Sequence, residues 1–127
     1  MTIPVVLAGH GALPSGVAGA AELVLGPQSR LAVCELGPAE DPDSYGERLA
    51  ALTGDAAVLV LVDLPGGTPA NRAKLLAARR EGMRIVTGLN LPMVLEVLVR
   101  NGDVDELAGR ALSAGRDGVL VEPVLTR

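Results

Sequence analysis

Short unbroken apolar runs alternate along the chain with longer segments whose apolar residues recur at helical spacing. Ile3-Pro4-Val5-Val6-Leu7-Ala8 is β-branched and closed by Gly9-His10-Gly11, which predicts a buried strand with Pro4 near its start. Ser15 follows as a candidate cap for a helix over about 16–25, with Val17, Ala20, Ala21, Val24 and Leu25 on one stripe and Gly26-Pro27 ending it. Leu31–Leu36 reads as the second strand. A loop then leads to Ser44, which with Glu47 three residues later forms a capping-box pattern for a helix to about Leu52. Residues 56–62, Ala-Ala-Val-Leu-Val-Leu-Val, are apolar without alternation, as a central strand covered on both faces requires. Thr68-Pro69 opens a helix predicted to run to about Glu81. A fourth strand is expected over 84–86, helices over 91–100 and 104–114, and a last short strand at Gly118–Val121.

Alternation of this kind predicts an α/β domain, doubly wound around a mostly parallel sheet, with residues 1–127 forming one unit. Right-handed crossovers place the turns that follow the strands on one edge of such a sheet. Ligands bind at that edge, where strand order reverses. For a sheet of order 2-1-3-4, the first and third strands are neighbours there.

Composition narrows the chemistry. The chain holds one His, one Cys, one Tyr and neither Phe nor Trp, so a zinc or iron–sulfur ligand set and an intrachain disulfide are both out of reach. Eleven basic residues against fifteen acidic ones give a net charge of −4, and with no aromatic platforms this argues against nucleic acid. Apolar runs such as 58–62 are far too short to span a bilayer, and the first residues carry no basic leader pattern, so a cytoplasmic location is expected.

Three turns on the predicted edge carry the candidate chemistry. They are Gly9-His10-Gly11, Asp63-Leu64-Pro65-Gly66-Gly67-Thr68-Pro69-Ala70-Asn71, and Thr87-Gly88-Leu89-Asn90-Leu91-Pro92. Glycines and prolines fix such turns and allow close approach of backbone to a ligand. Asp63 beside His10 accepts the proton of one ring nitrogen and leaves the other as a nucleophilic lone pair, suited to attack on a phosphoryl group. The helix opening at Thr68 offers free backbone N–H groups, a dipole and a hydroxyl to the anion so formed. Taken singly, His10 is a turn residue, Asp63 and Thr68 are caps, and Met93 and Cys34 are core. Their convergence on one edge favours the chemical reading.

Together, in this order and spacing, the three turns resemble the enzyme IIA component of the mannose family of the bacterial phosphoenolpyruvate-dependent sugar phosphotransferase system. The resemblance covers nearly the whole chain. It implies that His10 accepts a phosphoryl group on Nε2 from the phosphocarrier protein HPr and passes it to an enzyme IIB on a separate chain, which reaches a membrane sugar permease. It makes His10 and Asp63 the catalytic pair, and Gly11, Gly67, Thr68 and Asn71 the phosphate-binding residues, with neither cofactor nor metal. It also implies a homodimer in which the last strand, here Gly118–Val121, crosses to the neighbour's sheet. Gly9 stands where many members carry Ser or Thr, and Ala70 where some carry a larger residue.

Other functions fit less well. A dinucleotide site would use the first turn and Glu35 as its ribose acid, but Pro14 occupies the third glycine position of that fingerprint. A Walker-type kinase lacks its motif, since the only lysine, Lys74, lies in a helix. A histidine phosphatase needs arginines near His10, which the turns do not supply. A regulatory domain of the same fold without turnover, and the phosphocarrier role of dihydroxyacetone kinase, are the remaining alternatives.

Overall fold

A computed structural model of the chain describes residues 2–123. Its elements run β1 (Val5–His10), α1 (Leu13–Leu25), β2 (Leu31–Leu36), α2 (Pro42–Thr53), β3 (Val58–Val62), α3 (Gly67–Ala77), β4 (Met83–Thr87), α4 (Leu91–Leu98) and α5 (Val104–Asp117). The strands form one sheet in the order β2-β1-β3-β4, with every pair parallel. The doubly wound α/β architecture and strand order expected from the sequence are both present.

Strand alternation divides the core in two. Val5, Leu7, Leu59, Leu61 and Val86 face one way and pack with Ala21 of α1, Val94 and Val97 of α4, and Leu107 and Ala111 of α5. On the other face Val6, Ala8, Cys34, Val58, Val60 and Val62 pack with Tyr45 and Leu49 of α2 and Ala70 and Ala73 of α3. All five residues of β3 are buried, as its unbroken apolar run requires. At the amino end of the sheet, Arg30 ties the layers together: its Nε donates to the Ile3 carbonyl, and one terminal nitrogen donates to the carbonyls of Val97, Leu98 and Arg100 at the close of α4.

Capping differs from the sequence reading in three places. Helix α1 begins at Leu13, ahead of Ser15, because Pro14 suits a first turn where no amide partner is needed. Helix α2 is capped by Asp41, whose side chain accepts from the Ser44 amide at 2.8 Å, so Ser44 lies inside the helix. Helix α3 is entered from Gly66 rather than Thr68, since Gly66 at φ of 85° and Gly67, the first helical residue, at 80° make the turn into it. It also stops at Ala77, short of Glu81.

The strand expected at Gly118–Val121 is absent. Helix α5 continues to Asp117, with the Gly118 and Val119 amides bonded back to Ala114 and Arg116, and Val121 beyond it is 99% exposed. A strand needs a ladder partner, and among the described residues none reaches this tail.

Candidate functional site

His10 ends β1 and Asp63 follows β3, so the two stand on either side of the switch point. One carboxylate oxygen of Asp63, Oδ2, meets His10 twice: it lies 2.8 Å from Nδ1 and accepts the backbone amide at 2.9 Å. The other, Oδ1, accepts the Leu64 amide at 2.9 Å. Because an ionised carboxylate only accepts, this arrangement puts the ring proton on Nδ1 and leaves the Nε2 lone pair free. The Asp63 side chain is 5% exposed and the His10 side chain 47%, so the orienting group is buried while the ring stays open to solvent.

Nε2 faces the start of α3. A β-carbon placed on Gly67 would stand 3.4 Å from Cε1 and 3.6 Å from Nε2 of His10, so the helix backbone approaches the ring closely. The first turn of α3 contains no acidic residue and no side-chain cap, and its leading amides have no partner within the helix. Thr68 and Asn71, three residues apart, share a helix face. Thr68 is half-buried and Asn71 exposed on it.

Gly11 is placed differently from a phosphate donor. Its amide donates to the Leu36 carbonyl at 3.0 Å, so it is already engaged, and its φ of 56° serves the turn into α1. The third turn is also structural. Asn90 caps α4 by accepting the Met93 amide and donates through Nδ2 to the Gly115 carbonyl on α5, both at 3.0 Å. Met93 and Cys34 are core residues, as expected.

Two features escaped the sequence reading. A β-carbon on Gly9 would lie 2.8 Å from Cγ and 2.9 Å from Oδ2 of Asp63, so the missing side chain is what lets the carboxylate lie against the strand end. Glu35 is the second. Its Oε2 accepts the Ser15 amide at 2.9 Å; the Ser15 hydroxyl first, and then this amide, hold its carboxyl below the ordinary range and so place a negative charge at the start of α1. That is the helix terminus a dinucleotide's phosphates would need, so the structure speaks against such a site.

Two depressions lie elsewhere. One of about 600 Å³ between α4 and α5 is lined by Glu96, Glu106, Arg110 and Asp117, and Glu96 is already paired with Arg100 and Arg110. The other, about 380 Å³, runs beside the open edge of β4 past Ile85, Thr87, Ala108 and Leu112. Among the described residues no helix is long and apolar enough to cross a membrane, and no three His, Cys, Asp or Glu residues are grouped as a metal site.

An open parallel sheet presenting one carboxylate-oriented imidazole at its switch point defines a class of single-histidine α/β domains. Residues 4–111 match the family model described as the phosphotransferase-system (PTS) fructose IIA component. The chain is 34% identical over 126 residues to the "PTS system mannose-specific EIIAB component" of Escherichia coli (strain K12), covering 94% of this chain and 39% of that protein. It is 32% identical over 100 residues to the "PTS system fructose-specific EIIA component" of Bacillus subtilis (strain 168), covering 76% of this chain and 68% of that one. Among solved structures, the mannose/sorbose specific IIA subunit from Enterococcus faecalis superposes with a TM-score of 0.93 at 28% identity, over 100% of this chain and 99% of that one. The chain therefore belongs to the IIA family of the sugar phosphotransferase system, whose members are phosphotransferase components of sugar uptake. It spans about two fifths of the length of the E. coli relative.

Proposed function

We propose that His10 is a phosphoryl acceptor, loaded by HPr and unloaded by an enzyme IIB on a separate chain, in the cytoplasm. The observation that carries this reading is the 2.8 Å contact of Nδ1 with a buried carboxylate, which leaves Nε2 open beside the start of α3. In the loading step the Nε2 lone pair forms a bond to phosphorus as the phosphorus–nitrogen bond of the donor's phosphohistidine breaks, returning that electron pair to the donor ring. Asp63 balances the positive charge that the phosphorylated ring would carry at Nδ1–H. The amides of Gly67 and Thr68, the Thr68 hydroxyl and the Asn71 amide group receive the phosphoryl oxygens. Gly11 contributes room at the turn, its amide being engaged. Transfer to enzyme IIB reverses the same bond changes.

Residues 1–127 act as one IIA unit in this reading, and two copies pair. The exposed apolar tail at Val119, Leu120 and Val121 and the apolar groove beside the unpaired edge of β4 complement each other, which favours exchange of tails between chains. Sedimentation of the full chain against a version ending at Asp117 tests this: a dimer that becomes monomeric supports it, and an unchanged mass removes it. For the phosphoryl reading, the protein and its His10→Ala variant are incubated with phosphoenolpyruvate, enzyme I and HPr, then assayed for acid-labile phosphate. Equal labelling of both, or no labelling of the wild type while HPr is labelled, defeats the proposal.

A further inference from the structure

Three residues stand in one row at the carboxyl ends of β2, β1 and β3. Gly9 is the register partner of Glu35, and Ala8 that of Val62, so Asp63 occupies the next rung beside Gly9. Alternation puts all three on the face covered by α1, and Gly9 sits between two carboxylates. Asp63 bonds directly to the imidazole of His10. Glu35 has no such compensation. No cation pairs with its carboxylate among the described residues, and Arg48, which donates to the Glu35 backbone carbonyl, has its side chain paired with Glu40. Ser15 holds it, through its amide and its hydroxyl, and α1 carries no acidic residue in its own first turn. The negative charge at that helix start therefore comes from the strand adjoining His10.

We infer that Glu35 tunes the reaction, acting as a positioning charge that raises the transfer potential of a phosphoryl group on His10; this rests on the reading of His10 as acceptor. The bond changes are those of the loading step, in which one phosphorus–nitrogen bond replaces another and no further reactant enters. What Glu35 alters is the equilibrium. Adjacent strands lie about 4.8 Å apart, and side-chain reach from β2 and β1 to opposite faces puts carboxylate and phosphoryl group on the order of 10 Å apart. Loading adds one net negative charge, a dianionic phosphoryl group on a cationic ring, and its repulsion by a unit charge at that distance, in a water-like dielectric at low salt, lowers the phosphorylated fraction about 1.5- to twofold.

The test is the exchange equilibrium with phosphorylated HPr, freed of enzyme I and phosphoenolpyruvate, for wild type and Glu35→Gln. Glutamine keeps an oxygen for the Ser15 amide and removes only the charge. The ratio of phosphorylated protein to phosphorylated HPr is expected to rise about 1.5- to twofold in the variant at ~20 mM salt, and to converge on wild type at ~0.5 M. Equal ratios at low salt, whether or not Tm changes, overturn the inference and leave Glu35 as a helix cap alone. A wild type that competent phospho-HPr fails to label overturns the acceptor reading itself, and the inference with it.

Discussion

Replacing Gly9 with alanine adds one carbon at the place where the orienting carboxylate rests. That carbon would stand 2.8 Å from Cγ and 2.9 Å from Oδ2 of Asp63. Ordinary carbon contacts begin near 3.5 Å, so the carboxylate must retreat by about 0.7 Å or change rotamer. Its bond to Nδ1, now 2.8 Å, then lengthens toward ~3.5 Å, where a hydrogen bond is no longer made. Loss of a charge-assisted bond to a nearly buried carboxylate costs about 1.5–3 kcal/mol, which is roughly 10- to 100-fold if the bond is needed in the transition state. The assay pairs the rate of phosphoryl transfer from HPr with nitrogen NMR of the imidazole, which reports the tautomer. Gly9→Ala is expected to slow transfer by at least ~10-fold and to weaken the Nδ1-protonated signature. A variant that transfers within about twofold of wild type and keeps that signature refutes the reasoning, because the carboxylate would then have a second way to hold the ring.

Thr68→Ala removes the hydroxyl proposed to receive a phosphoryl oxygen; transfer is expected to fall while the unfolding free energy measured in urea stays within ~0.5 kcal/mol of wild type. Loss of stability without loss of transfer would make Thr68 a structural residue. Arg30→Leu strips donors from four carbonyls at the far end of the sheet from His10, and is expected to cost about 2 kcal/mol, or roughly 7 °C in Tm, with transfer by the folded protein unchanged. Glu40 is held down to about 2, first by Arg48 and then by the Gly37 amide. Its folded value lies below its unfolded one, so its contribution to stability is present above pH ~4.5 and lost as pH falls toward about 2. In Glu40→Gln the acid limb of the stability profile should flatten across that window; an unchanged limb would show that the Arg48 pairing is immaterial.

The strands were legible because burial on both faces leaves no room for polar residues: 58–62 announces itself as the centre of the sheet and is fully covered. Once strand order followed, the meeting of His10 and Asp63 followed too. Helix starts were less legible, because Ser, Thr, Asp and Gly all serve as caps and spacing alone cannot say which residue turns the chain. Asp41 displaced Ser44, and Gly66 displaced Thr68, for that reason. The clearance at Gly9 was invisible because it is an absent side chain answering a residue 54 positions away. Glu35 was noticed only as a ribose acid, since its bond to Ser15 joins neighbouring elements through tertiary geometry. The tail at Gly118–Val121 has the apolar content of a strand, but local pattern does not name a strand's partner.

Tyr45 is fully buried between α2 and β2, its hydroxyl donating to the Cys34 carbonyl at 2.7 Å and the Arg48 guanidinium standing 5.4 Å from the ring centre. Since the sequence holds no other aromatic side chain of its kind, the molecule carries a single chromophore in the near ultraviolet. Protein concentration read at 280 nm therefore depends on one ring. More usefully, any emission or circular-dichroism change seen on unfolding, phosphoryl loading or partner docking has one address, the seat of α2 one strand away from His10, and needs no label to be assigned.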